Sequence, residues 1–290
     1  MTTGAFVLVL TSAIFHASWN FLLKQSGHKA AFLWGMSTAS FVAFSVPAAI
    51  AFAIDGLSWQ GAGFGAVSAC IHGGYGFALA RQYRLGDLSA VYPVSRGVGP
   101  ALVPPAAVLL LDETVSAGAA AGIALVVAGI YVIHIESWAL RDVLRPLDAF
   151  RRPATRAALL TGAFITCYSL WDKAALDHLT PLGLSQFSLV GYIVMLAPFA
   201  FQANAAPIRD EWRQRRWSVV AAGVFAPLAY VLVLVALTST RVSYITPARE
   251  VGIVLGALAG VLFLAEPYGR SRIGGSLLIV AGVLTLGIAP

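Results

Sequence analysis

The sequence predicts an all-α membrane protein of ten transmembrane helices arranged as two inverted five-helix repeats. Three observations carry that reading. The 290-residue chain is 59% hydrophobic and only 11% charged, with a mean hydropathy of +0.81, a composition solvated by bilayer rather than water. Apolar runs of spanning length follow one another with little between them. The second half repeats the first at a nearly constant offset, and basic residues keep to alternate loops.

The ten runs lie at about residues 4–24, 31–54, 62–82, 87–111, 116–135, 154–176, 183–201, 217–238, 243–264 and 270–288. Each is close to the ~20 residues that a hydrocarbon core of about 30 Å requires. The first opens MTTGAFVLVL, without a basic leader, and so reads as a retained span rather than a cleaved signal. The longest connection, residues 136–153, sets Trp138, Leu140, Val143, Leu144, Leu147 and Phe150 among charges at near-helical spacing, as an interfacial amphipathic linker does. A separate aqueous domain is excluded. Cys70 and Cys167 sit inside spans with no CxxC or metal-like spacing, so they read as small apolar fillers; neither a disulfide, a metal nor a cofactor is expected.

Of the 19 Lys and Arg, 15 follow odd-numbered spans, Arg241 alone follows an even-numbered one, and Arg96, Lys173 and Arg249 lie within spans. Cytoplasmic loops retain positive charge. The bias therefore predicts a multi-pass protein of the cell's inner (plasma) membrane with both termini on the non-cytoplasmic side. It also accounts for a pI near 9.6 through the anionic inner leaflet, with no nucleic acid needed.

The repeat is read from matched residues. GIALVVAGIYVI at 122–133 aligns with GSLLIVAGVLTL at 275–286, and at the same offset of 153 Glu113 meets Glu266, Gly99 meets Gly252 and Arg96 meets Arg249. Pro93 meets Pro247 after a one-residue slip, and at an offset of 152 Trp19 meets Trp171 and Asn20 meets Asp172. Five spans per unit force the second unit through the membrane upside down. The expected units are residues 1–135 and 154–290, joined by the 136–153 linker, and an internally duplicated chain is sufficient as a monomer.

The strings HASWNFLLK, LLLDETVSAGAAAGIALVVAGI and LFLAEPYGRSRIGGSLLIVAGV resemble the EamA-type members of the drug/metabolite transporter superfamily. Those are ten-helix inverted repeats with an acidic residue in the short loop before the last helix of each half. The resemblance covers both repeats and is most similar in plan to exporters of amino acids, aromatic ones included. The chain departs from the usual repeat where Lys24 meets apolar Leu176, so no role is carried over to that lysine.

Polar groups inside the spans mark the candidate site. His16 and Asn20 share a helical face with Trp19 beside them and Ser12 a turn before; Tyr168, Trp171 and Asp172 repeat that spacing. His72 and Tyr75 share a face of the third span, Tyr92, Ser95 and Arg96 flank Pro93 in the fourth, and Tyr244, Arg249 and Glu250 flank Pro247 in the ninth. Ions at membrane depth cost about 2.5–3.5 kcal/mol each on insertion scales, so Arg96, Asp172, Lys173, Arg249 and Glu250 require partners or water. A wet central cavity would let a zwitterion's carboxylate meet Arg96 or Arg249 and its ammonium meet Asp172 or Glu250, between aromatic walls. The competing readings are interfacial anchoring for Trp19 and Trp171, interhelical packing for the histidines and a ligand-free salt bridge for the arginines. Glu113 and Glu266 fit the amino-terminal dipole of the helix that follows each. Small residues at four-residue spacing, Gly61, Gly65, Ala69 and Gly73 in the third span and Gly252, Gly256 and Gly260 in the ninth, predict close helix contacts.

These features describe a secondary transporter or facilitator exporting small polar metabolites, amino acids including aromatic ones foremost, by rocking of the repeats. Proton coupling through His16, His72, Asp172 or Glu250 and uncoupled diffusion both stay open. The alternatives are organic anions such as phosphonates or sugar phosphates, favoured by the two arginines, or drugs, disfavoured because the first span lacks a deep carboxylate. No Walker motif is present, so ATP is not the direct driver; an enzyme is disfavoured, because GLS at 183–185 has no histidine after it and LGD at 85–87 stands alone.

Overall fold

The structure is a computed structural model that describes residues 1–85, 88–133, 153–201, 205–264 and 270–289, so Glu266 and all but the last residue of the expected linker lie outside it. The helices are α1 (Thr3–Gln25), α2 (Lys29–Asp55), α3 (Trp59–Leu85), α4 (Leu88–Leu110), α5 (Ala117–Ile133), α6 (Pro153–Ala175), α7 (Pro181–Ala200), α8 (Ala206–Ser239), α9 (Val242–Ala248), α10 (Val251–Leu264) and α11 (Arg270–Ile288). By length and composition α1, α2, α7, α8 and α11 are each able to cross a membrane. Nine expected spans form single helices. The ninth is broken into α9 and α10 one residue past Pro247, where Glu250 N–H bonds Pro247 O at 3.1 Å and Gly252 N–H bonds Arg249 O at 3.0 Å in a tight turn.

Helix ends in lipid must be satisfied internally, and side chains do this work. The Thr180 hydroxyl accepts from Gly183 N–H at 3.2 Å with Pro181 at the first helical position of α7. Lys29 Nζ donates to Leu23 O at 2.9 Å and Ser26 O at 2.7 Å, closing the carboxyl end of α1. Lys173, an ion the sequence places inside a span, does the same for α8, reaching Leu237 O at 2.6 Å and Thr240 O at 3.2 Å. At 34 residues α8 is about 51 Å long, well beyond a hydrocarbon core. It kinks at Arg215 (φ −138°), leaving its first turns outside the expected span at 217–238.

The packing follows from the repeat. α1 lies on α8 as α6 lies on α3, α2 on α8 as α7 on α3, and α1 on α10 as α6 on α4, while α5 pairs with its own mate α11. Each half thus finds its neighbours chiefly in the other, as a two-fold relation requires. The α5–α11 contact shows the inversion directly. A Cβ built on Gly122 would fall 2.9 Å from Gly282 O and one on Gly282 would fall 2.6 Å from Gly122 O; Gly129 and Gly275 exchange the same approach at 2.7 and 2.6 Å. Matched glycines meet in exchanged, antiparallel register, so the two helices run in opposite directions. In α3 the predicted small-residue row is also a contact surface: Gly65 sits under the Phe187 ring, and a Cβ on Gly73 would lie 2.9 Å from Gly191 O. In the ninth span the surroundings of Gly260 lie outside the described residues, and the other two glycines of the expected row make no such contact. Gly256 has nothing within 4 Å, and a Cβ on Gly252 would come no closer than 3.7 Å to a neighbour, because that helix is broken by the Arg249–Glu250 turn before the row begins.

Replacing Gly275 by Ala puts a methyl 2.5 Å from Ile133 N, and we expect a loss of about 1–3 kcal/mol from overpacking. Gly256→Ala, with open space around it, should be neutral or gain up to about 1 kcal/mol of helix propensity. Thermal unfolding of the two variants in detergent checks the contrast.

Candidate functional site

The face of α1 that carries polar residues turns inward. His16 meets the Trp19 ring edge-on, centroids 5.0 Å apart, and Asn20 Nδ2 donates to His16 O one turn back at 2.8 Å. Across from them stand Tyr75 and Leu79 of α3, Ser95 and Arg96 of α4, and Thr161 and Ile165 of α6, and together these nine side chains line one small cavity. Its free volume, ≈ 10 Å³, has room for about one water. Six residues expected from sequence, His16, Trp19, Asn20, Tyr75, Ser95 and Arg96, therefore share a single void. Leu79, Thr161 and Ile165 complete it; as apolar or weakly polar residues in apolar runs, they carry no signal of their own. A larger hollow of ≈ 710 Å³ lies between α4 and α5, against Ala101, Pro104, Pro105, Val108, Ile123 and Tyr131. Its walls offer almost no hydrogen-bonding group, which suits acyl chains; the chemistry for a polar solute is in the small cavity.

Arg96 is held there by Glu250. Nη2 donates to Oε1 at 2.7 Å and Nε to Oε2 at 3.1 Å, a two-pronged contact with the arginine 7% and the glutamate 3% exposed. The acceptor comes from the turn between α9 and α10, so the break in the ninth span is what delivers a carboxylate to the cavity wall. Arg249, on the same turn and half-buried, does not line the cavity, and its guanidinium makes no hydrogen bond or ion pair among the described residues.

Asp172 forms a second polar centre. It is 1% exposed. Ser68 Oγ donates to its Oδ1 at 2.7 Å, and His72 Nε2 lies 2.9 Å from Oδ2. The Tyr230 hydroxyl donates to Oδ2 and lies 3.0 Å from His72 Nε2. Tyr168 stacks on His72 with centroids 4.5 Å apart, and its ring edge meets Tyr75 at 5.6 Å. Tyr75 thus belongs to the cavity wall on one side and to this aromatic layer on the other. Ser68, Tyr192 and Tyr230 were missed by sequence reasoning. Ser68 is one helical turn before His72, a spacing that could have found it; the tyrosines sit alone in apolar runs on α7 and α8, where nothing marks their direction.

Other candidates are placed elsewhere. Trp171 donates from Nε1 to Phe64 O at 3.0 Å and stacks on the Phe64 ring, joining α6 to α3 away from the cavity; the one-residue step from Asp172 turns it to a different face. Tyr244 is at the far end of α9, its hydroxyl 3.4 Å from Ser116 Oγ. The Tyr92 side chain lies outside the described residues. Ser12 donates to Ala229 O at 2.6 Å and ties α1 to α8. Glu113 does meet a helix amino terminus, but that of α9 in the other half rather than of α5 that follows it. It accepts from Val242 N–H at 2.7 Å, and from Ser243 N–H at 3.0 Å and the Ser243 hydroxyl.

Interleaved inverted helices thus enclose a small polar cavity with an ion pair in its wall. Residues 154–288, nearly the whole second repeat, match the EamA-like transporter family, a membrane transporter family of the drug/metabolite type. No curated protein matches it in sequence. A solved structure, described as the crystal structure of a protein, superposes over 98% of this chain and 96% of its own length with a TM-score of 0.71 at 16% identity. The likeness is one of fold.

Removing one partner of the buried pair leaves the other charge uncompensated in a dry site. Glu250→Ala is expected to lose about 3–5 kcal/mol, while Arg96→Met with Glu250→Leu recovers most of that loss. Thermal melts of the single and double variants measure it, and equal losses in both would mean that the pair carries no mutual compensation.

Proposed function

We propose that the chain is a secondary transporter exporting small zwitterions, amino acids including aromatic ones, through the cavity formed by His16, Trp19, Asn20, Tyr75, Ser95 and Arg96. The units are residues 1–135 and 154–290, working as a monomer in the inner (plasma) membrane with both termini outside the cytoplasm. The observation that carries the substrate class is the Arg96–Glu250 pair. An arginine already neutralised by a carboxylate in a wall of aromatic and hydroxyl groups has no excess charge for a phosphate or phosphonate dianion. A solute carboxylate presents the same two oxygens as Glu250 and can replace it on Arg96 at constant charge. The ammonium then meets the faces of Trp19 and Tyr75 and the released Glu250, while an aromatic or aliphatic side chain lies along Leu79 and Ile165.

Space for one water will not hold an amino acid, and sites for such solutes measure about 300 Å³ or more. Binding therefore requires α1, α3, α4 and α6 to part, and losing the link from Glu250 to Arg96 is the step that permits it. Because each repeat packs chiefly on the other, the moving bodies are sets of helices drawn from both halves rather than the repeats themselves. Two repeat-matched arginines favour organic anions as the second reading, with Arg249 as the uncompensated charge.

Counterflow into proteoliposomes with a panel of amino acids, cationic drugs, phosphonates and sugar phosphates tests this. Tryptophan and other neutral amino acids should exchange, with Trp19→Ala and Arg96→Lys each slowing exchange at least about tenfold, since lysine cannot make the two-pronged contact. Phosphonate exchange without amino-acid exchange would sink the zwitterion reading.

A further inference from the structure

The Asp172 centre has more proton positions than protons. With Asp172 ionised, its oxygens accept from Ser68 at one and from Tyr230 at the other, and His72 Nε2, 2.9 Å from Oδ2, donates to it when it carries the imidazole proton. Nδ1 is then a bare acceptor, and among the described residues this buried atom has no hydrogen-bond partner. In the other tautomer Nδ1–H would be a buried donor with nothing to receive it. Either way a polar atom is left unsatisfied in lipid-surrounded protein, where such atoms are rarely left without a role. The formal charge of the neutral-imidazole arrangement is −1, borne by a carboxylate that is 1% exposed.

We propose that His72 and Asp172, braced by Tyr230 and Ser68, form one proton-binding unit, and that its proton is the ion coupled to transport. Uptake forms one N–H bond at Nδ1 as one O–H bond of a hydronium ion breaks, leaving water. Nε2–H and the Tyr230 O–H continue to donate to Asp172, and the unit passes from −1 to neutral as an imidazolium–carboxylate pair. Release returns the proton to water when the bundle opens. Facing it are Tyr75 from α3, Tyr168 from α6, Tyr192 from α7 and Tyr230 from α8; beyond the Tyr168 ring, Arg96, Arg249 and Glu250 act electrostatically. Lys173, next in sequence, is turned to the end of α8.

The link to the cavity is mechanical. Tyr168 stacks on His72 and touches Tyr75, which lines the cavity with Arg96. A solute that parts α3 from α6 to enter the cavity moves the same two helices whose contact, from Ser68 and His72 to Asp172, makes the proton site. The bland alternative is a structural hydrogen-bond cluster tying α3, α6 and α8, and such a cluster would not titrate or respond to a gradient.

The coupling half of the inference rests on the transporter reading above, and the proton site does not. Two measurements on the full chain separate them. Infrared difference spectra of the reconstituted protein, recorded through a pH titration, should show a carboxyl or imidazolium change that disappears in Asp172→Asn and His72→Gln; Tyr230→Phe, which removes only a hydroxyl, should move its midpoint. Absence of any Asp172-dependent change, or an unmoved midpoint in Tyr230→Phe, overturns the site. Tryptophan counterflow at equal pH reports transport itself. Where it occurs, a pH difference of one unit should drive accumulation up to about tenfold for one proton per solute, and this should fall to about onefold in Asp172→Asn. Counterflow that ignores the gradient, or accumulation that survives Asp172→Asn, overturns the coupling while leaving the transporter standing. Without counterflow the transporter reading falls, and the infrared titration alone decides the proton site.

Discussion

Every polar group inside this bundle has to find its partner in protein, because acyl chains offer none. The duplicated architecture meets that constraint by giving each half what the other lacks. Glu113 of the first half caps α9 of the second; Trp171 of the second half donates to Phe64 O of the first; Ser12 on α1 reaches Ala229 on α8. Arg96 and Glu250 meet across the two halves as well. Neither half contains its own set of partners, so the interleaved packing and the polar satisfaction are one requirement seen twice.

The scaffold is symmetric and the site is not. Glycines 122, 129, 275 and 282 exchange contacts about the pseudo-two-fold, and the helix pairings come in matched sets. Two-fold equivalence carries the α3–α6 contact onto α8–α1. At α3–α6 stand Ser68, His72 and Asp172; at α8–α1 the rings of Phe15 and Phe225 pack 5.7 Å apart, and Asn20, the mate of Asp172, donates to its own helix at His16 O. The mate of Glu250, Gly97, has no side chain at all. Folding alone would be served equally well by either arrangement. A buried carboxylate in one copy only is a cost that stability does not ask for, and it is where a directional process would need its asymmetry.

Much of this was legible in the chain because bilayer solvation writes strong signals. Runs of about 20 apolar residues, alternate basic loops and matched glycines each follow from a physical demand that acts locally or at fixed period. The inward turn of His16, Trp19 and Asn20 was readable for the same reason, since polar side chains spaced by a helical turn cannot face lipid. What stayed hidden depends on which helices meet. Trp171 and Asp172 are adjacent in sequence and part by about 100° around α6, one to a stacking contact and one to the buried centre. Tyr230 and Tyr192 become a site only because α8 and α7 pack where they do. Glu113 was rightly given to a helix dipole, yet its helix lies 129 residues away from it at Val242, a distance no local pattern spans. The break at Arg249–Glu250 was foreshadowed only by Pro247.

On the proposed function, that break is what lets the closed cavity open. A continuous helix would carry its carboxylate on a rigid cylinder, and separating it from Arg96 would mean moving the whole span. A tight turn of i to i+3 bonds between α9 and α10 lets the short segment shift against the long one, because little backbone hydrogen bonding crosses the joint. The bond between Arg96 and Glu250 is strong for the reason that it is dry, so water entering alone would weaken both charges' interaction without supplying an equal partner. A solute carboxylate does supply one. Exchange of one carboxylate for another on the same guanidinium keeps the charge constant through the step and avoids exposing a naked ion to the apolar wall. On that reading, the desolvation that makes this pair costly to bury ties opening of the bundle to arrival of a solute with the right group.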